Sequence, residues 1–132
     1  MKVIILDDNP VEVELIKSML IDSDLNAEVF TGLTSILGNR LDLIILDLYM
    51  PVISGCDLCH ILKTHPDFSD IPIVMLSSST DIKDKMRCFE AGALDYIEKP
   101  IAKDSLISIV KKYSSIGIMY KAGKDINMQT KG

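Results

Sequence analysis

The stretch "VIILDDNP", residues 3–10, sets four apolar residues directly against two adjacent carboxylates, followed by Asn9 and Pro10. An apolar, β-branched run of this length reads as a buried strand, and Asn9 before Pro10 reads as the N-cap and first residue of a helix. Asp7 and Asp8 therefore fall at a strand-to-helix junction. Like charges this close repel one another unless a cation neutralises them, so paired acids at the end of a buried strand call for a reason.

The same kind of run recurs along the chain. Strands are predicted at 2–6, 27–30, 42–46, 71–76 and 94–97 from short apolar, β-branched segments. Between them lie amphipathic stretches at 10–22, 33–39, 55–64, 81–91 and 103–113. In the first of these, Val13, Ile16, Met19 and Leu20 share a face while Glu12, Glu14, Lys17 and Asp22 fall elsewhere, which is helical periodicity. Five strand–helix alternations imply a parallel sheet with right-handed crossovers and helices on both faces. The first, third and fourth strands are nearly continuous in apolar residues, as strands buried on both sides should be. After Tyr113 the pattern fails, so 1–113 is expected to be one domain and 114–132 a tail or linker.

A chain of 132 residues accommodates one domain with a real core, and its hydrophobic fraction of 48% excludes a disordered chain. No apolar run approaches the ~18 residues that span a bilayer, and "MKVIILDD" reaches charge too soon for a secretory signal. A cytoplasmic location without membrane contact is the expectation. The net charge of −5 offers no general attraction for a nucleic-acid backbone, so any such contact would come from another module. Cys56, Cys59 and Cys88 are an odd number without a secretory context, which argues against a disulfide framework. "CDLCH" at 56–60 lacks the second ligand pair of a zinc site and the preceding strand of a thioredoxin-like motif. It reads as small residues on a helix, with no metal bound.

In open parallel sheets, ligands sit beyond the carboxyl ends of the strands. Those ends carry Asp7 and Asp8 after the first strand, Asp47 after the third, Ser77 and Ser78 after the fourth, and Lys99 just past the fifth. Clustered carboxylates of this kind suit the hard cation Mg²⁺, which answers the question the opening stretch raises.

With "LDDNP" (6–10), "LDLYMP" and Gly55 (46–55), "PIVMLSS" (72–78) and "DYIEKP" (95–100) in this order and spacing, residues 2–113 resemble the receiver domains of two-component response regulators. The resemblance implies a (βα)5 flavodoxin-like fold with strand order 2-1-3-4-5. It implies Asp47 as a phosphoacceptor that takes a phosphoryl group from a histidine kinase or a histidine phosphotransfer protein. Asp8 would ligate Mg²⁺ directly, Asp7 mainly through water, Asp47 through its carboxylate and Tyr49 through its backbone carbonyl. Lys99 and Ser77 would bond phosphoryl oxygens, and Tyr96 would change position with Ser77 as a switch. The face formed by 81–91, 94–97 and 103–113 would then control a downstream target, a fused output domain or a homodimer. A signalling domain that assists only its own phosphoryl transfer is implied, not an enzyme, either free-standing or at the front of a longer protein.

Taken singly, Asp47 reads as a helix cap, Lys99 as a solvated loop charge, Ser77 as part of a cap and Tyr96 as a core aromatic. Their joint placement on one rim favours the phosphoacceptor reading. A haloacid dehalogenase-type phosphatase would need its two acids two residues apart, and here they are adjacent. A flavodoxin-like carrier would need a phosphate-cradling loop after the first strand, where this chain puts acids. A receiver-like docking module without phosphorylation is the nearest rival, and such modules usually lose some of these residues. The segment "TGLTSILGNR" (31–40) is shorter than the family usually has, so the second helix is expected to be a single turn or irregular.

Overall fold

In a computed structural model that describes residues 1–113, five strands form one parallel sheet in the order β2-β1-β3-β4-β5. The strands are β1 (Lys2–Leu6), β2 (Glu28–Thr31), β3 (Leu43–Asp47), β4 (Ile73–Ser77) and β5 (Asp95–Glu98). The helices are α1 (Pro10–Ile21), α2 (Gly55–Thr64), α3 (Ile82–Ala91) and α4 (103–113). The predicted α/β alternation and strand order are both borne out. The expected tail, 114–132, lies outside the described residues.

Successive side chains of a strand point to opposite faces, and the core divides accordingly. Ile4, Leu6, Ile44, Leu46, Ile73 and Met75 face one side, under α2 and α3. Val3, Ile5, Leu43, Ile45, Val74, Leu76 and Ile97 face the other, against Ile16 and Leu20 of α1 and Leu106, Val110 and Tyr113 of α4. Every residue of β3 and β4 is buried, whereas the outer strands β2 and β5 are partly exposed. This is why the central runs are apolar throughout and show no alternation.

Sequence and structure differ at strand ends. The apolar runs suggest ends at Leu46 and Leu76, but β3 and β4 each continue one residue, to Asp47 and Ser77. Parallel pairing extends the ladder past the apolar run: the Leu48 N–H donates to the Leu76 carbonyl (2.9 Å) and the Lys99 N–H to the Ser77 carbonyl (2.9 Å). At the other end β4 starts at Ile73, because Pro72 has no N–H and serves only as acceptor for Ile44 (2.9 Å). Both rim side chains thus stand on rigid backbone. Between β2 and β3 the short segment forms only a 3₁₀ turn, Leu33–Ile36, in line with its length.

Helix starts follow local chemistry. The Asn9 side chain accepts from the N–H groups of Val11 and Glu12, Ser54 caps α2 and Asp81 caps α3. Gly92 ends α3 in the left-handed conformation, at φ 111°.

Gly55 opens α2 against the end of β3. A methyl group there would collide with the Asp47 carbonyl oxygen and lie 2.8 Å from the Leu48 Cα. Backbone cannot yield as a side chain can. Gly55→Ala is therefore expected to destabilise the fold by about 1–3 kcal/mol. Urea unfolding checks this, and an unchanged midpoint would show that α2 can shift away freely.

Candidate functional site

The carboxyl ends of β1, β3 and β4 and the residue after β5 meet at one rim. The Lys99 ammonium is at its centre. Its Nζ lies 2.6 Å from Glu12 Oε2, 3.2 Å from Asp47 Oδ1 and 3.7 Å from Asp7 Oδ2. Asp7, Glu12 and Asp47 can each offer a carboxylate oxygen within 4.8 Å of the others. Asp47 is 4% exposed and Ser77 1%, and among the described residues these are the buried polar side chains of the core.

Three carboxylates face one ammonium, so negative charge is in excess. Its effects are visible in two groups. Burial works against charged Lys99, but the Glu12 hydrogen bond and the charges of Asp47 and Asp7 outweigh it and raise its pKa above the ordinary lysine value. Glu12 is also raised, first by the neighbouring Asp7 carboxylate and then by burial, which together exceed the lowering effect of Lys99. A raised carboxyl pKa means that the folded form binds the proton more readily than the unfolded one. The resulting stabilisation is present below the unfolded pKa and lost as pH rises through the folded one.

Asp7 marks where the excess falls. Its Oδ1 accepts the Asn9 N–H (2.9 Å), while Oδ2 is buried without a hydrogen-bond partner. That bond also has a consequence for Glu12. Glu12 stands three residues after the N-cap, where a glutamate commonly bonds back to the cap N–H. Here Asp7 already holds that N–H, and Glu12 reaches Lys99 instead.

Of the residues singled out from the sequence, Asp7, Asp47 and Lys99 are brought into contact. Ser77 stands one residue beyond Leu76, the register partner of Asp47, and its Oγ accepts the Ser79 N–H (3.0 Å). Asp8 is exposed and lies outside the acidic group formed by Asp7, Glu12 and Asp47. Tyr96 is half-buried, and its hydroxyl donates to the Ser79 carbonyl (2.9 Å), tying β5 to the loop after β4. Tyr49 is more than half exposed and its hydroxyl donates to Asp84 Oδ2 (2.7 Å), which the Ser79 hydroxyl also reaches (2.6 Å).

Two residues of this constellation, Glu12 and Asp84, were not singled out. Periodicity assigns Glu12 to the polar face of α1, and only its position three residues after Asn9 distinguished it. Asp84 had no comparable signal, because its partners come from two separate loops. The two donors, Ser79 first and then Tyr49, hold the Asp84 carboxyl below the usual range.

Residues 3–111 match the family model described as the response regulator receiver domain. The DNA-binding response regulator MtrA of Mycolicibacterium smegmatis is 32% identical over 114 residues, covering 83% of this chain and 49% of MtrA. The chain thus spans about half the length of that relative. The signal receiver domain of a signal transduction histidine kinase from Syntrophus aciditrophicus superposes with a TM-score of 0.75 at 34% identity, over 86% of this chain and 89% of that one. The chemotaxis protein CheY4 of Vibrio cholerae gives 0.77 at 25% identity, over 85% and 97%.

The orphaned Asp7 oxygen generates a test. Asp7→Asn keeps the shape, removes one of three charges and supplies a donor in the site. Without divalent cation it should raise unfolding stability by about 1–3 kcal/mol, the usual cost of an unsatisfied buried polar group. Urea denaturation in EDTA measures it; a fall in stability would mean that Lys99 already neutralises the cluster.

Proposed function

The chain belongs to the response regulator receiver domain family of two-component systems, and from that premise we propose that Asp47 is its phosphoacceptor. The observation that carries the reading is the Lys99 ammonium held 3.2 Å from Asp47 Oδ1 at the end of a buried strand. A carboxylate oxygen of Asp47 attacks the phosphorus of a phosphohistidine on a kinase or phosphotransfer protein. The P–O bond forms as the P–N bond breaks, and the leaving imidazole takes up a proton. Such transfer needs mainly alignment and neutralisation of oxygen charge.

The acid excess and the unpartnered Asp7 oxygen fit a hard cation. Asp7, Asp8, Asp47 and the Tyr49 carbonyl would hold Mg²⁺, which would supply positive charge to offset that of the phosphoryl oxygens. Lys99 supplies the rest from its present position, exchanging carboxylate contacts for a phosphoryl oxygen. Ser77 is one residue along β4 and offers its hydroxyl to another.

Output follows from what the donors are attached to. Ser77 leads into the loop before α3, and Tyr96 is bonded to that loop through Ser79. Rotation of the Ser77 hydroxyl toward phosphate would release the Ser79 N–H it now accepts and free the loop, and Tyr96 would follow. The face of α3, β5 and α4 then changes shape toward a downstream protein, an output domain or a second copy. Residues 1–113 form the receiver unit: the Tyr113 hydroxyl donates toward the Leu94 carbonyl and Asp95 Oδ2, both at 3.0 Å, and closes α4 onto β5. We place the protein in the cytoplasm as a signalling domain, not an enzyme. Among the described residues no helix is long and apolar enough to cross a membrane.

Acetyl phosphate with Mg²⁺ should add one phosphoryl group to the wild type and none to Asp47→Asn. Intact-mass spectrometry decides: an unchanged adduct in the variant would move the phosphoryl group to another residue, and no adduct in the wild type would favour the docking-module reading. On adding beryllofluoride and Mg²⁺, amide NMR shifts should spread through 78–113 and shrink in Ser77→Ala. Shifts confined to the loops around Asp7 and Asp47 would leave a phosphoacceptor without this switch.

A further inference from the structure

The three cysteines come together where α2 packs on α3. Cys56 Sγ lies 3.6 Å from Cys88 Sγ, although 32 residues separate them in sequence. Cys59 is fully buried and its Sγ donates to the Ala91 carbonyl (3.5 Å), at the far end of α3. The neighbours in "CDLC" are thus committed to different partners. Cys56 is partly exposed, while Cys88 is completely buried.

We propose that Cys56 and Cys88 are a thiol modification site that closes to a reversible intramolecular disulfide when the protein meets a two-electron oxidant of the hydroperoxide class. Cys56 is the more exposed of the two residues and reacts first: its S–H is lost, an S–O bond forms as the peroxide O–O bond breaks, and one water leaves. The Cys88 sulfur then attacks the Cys56 sulfenic acid. An S–S bond forms, the S–O bond breaks, and the Cys88 proton leaves with the hydroxyl as a second water. Two thiols and one peroxide give one disulfide and two waters.

Geometry favours this pairing. The sulfurs are already in van der Waals contact, and an S–S bond of ~2.05 Å asks for about 1.6 Å of closure, within reach of side-chain rotation and a small approach of the helices. Burial first, and then the contact with Cys56, keeps Cys88 in the thiol form, so direct oxidation falls on Cys56, and Cys88 attacks only as its proton passes to the departing hydroxyl. In a glutathione-reduced compartment the pair would rest as thiols and close only transiently. The bond would fasten α3 to α2 one helical turn from Asp84. Nothing in this proposal depends on phosphorylation at Asp47.

The test treats the full chain with hydrogen peroxide, alkylates the remaining thiols with iodoacetamide, and maps peptides by mass. The expected result is loss of two hydrogens, one alkylated thiol in place of three, a linked Cys56–Cys88 peptide, and recovery of all three thiols with dithiothreitol. Cys56→Ser, at a partly exposed position, should abolish the link while keeping the circular dichroism of the wild type. Cys59→Ala should retain it. A Cys56–Cys59 link, a disulfide between two copies, or a Cys56 sulfinic acid without cross-link in the wild type would overturn the proposal.

Discussion

The Lys99 ammonium is the interaction on which the rim depends. It is the positive charge that Asp7, Glu12 and Asp47 share, and it reaches them from beyond β5, whereas the acids stand at the ends of β1 and β3 and on α1. Without it, the ends of β1 and β3 and the first turn of α1 would bring three carboxylates into one small volume with nothing to offset them. With it, the cluster is tolerable and still under-neutralised, since Glu12 remains harder to ionise than an ordinary glutamate. A site in this condition is receptive to further positive charge. Its strain is electrostatic and is held in place by the sheet.

The sheet supplies the rigidity that this arrangement needs. Asp47 and Ser77 belong to strands buried on both faces, so neither can retreat from its neighbour to relieve the charge. Close packing of Gly55 against the Asp47 carbonyl allows α2 to start immediately beyond the rim. The groups that can respond are those on the loops: Ser79, Tyr49 and the first turn of α3. Rigid acids and adjustable loops are thereby separated within a few residues of one another.

Much of this was legible in the sequence because apolar runs and helical periodicity report burial directly. The strand–helix alternation gave the layers, and the residues that follow each run gave Asp7, Asp47, Ser77 and Lys99. Strand ends were less legible, since Asp47 and Ser77 pair in the ladder even though they are polar. Glu12 went unread because its neighbour is 87 residues away, and an acid on the polar face of a helix looks like any other. Asp84 and the Cys56–Cys88 contact are invisible for the same reason. A periodic pattern says which face a residue occupies and nothing about which loop comes to meet it.

Asp84 has a bearing on how the loops are joined. Tyr49 comes from the loop after β3, Ser79 from the loop after β4, and one oxygen of Asp84 accepts from both hydroxyls. The two loops that border Asp47 are therefore latched to α3 at a single atom. If Asp47 carries the phosphoryl group, the loops on either side of it are fastened to the same helix that would present the altered face. A substitution at Asp84 would then release both loops at once, whereas one at Tyr49 or Ser79 would leave the other loop still tied to α3.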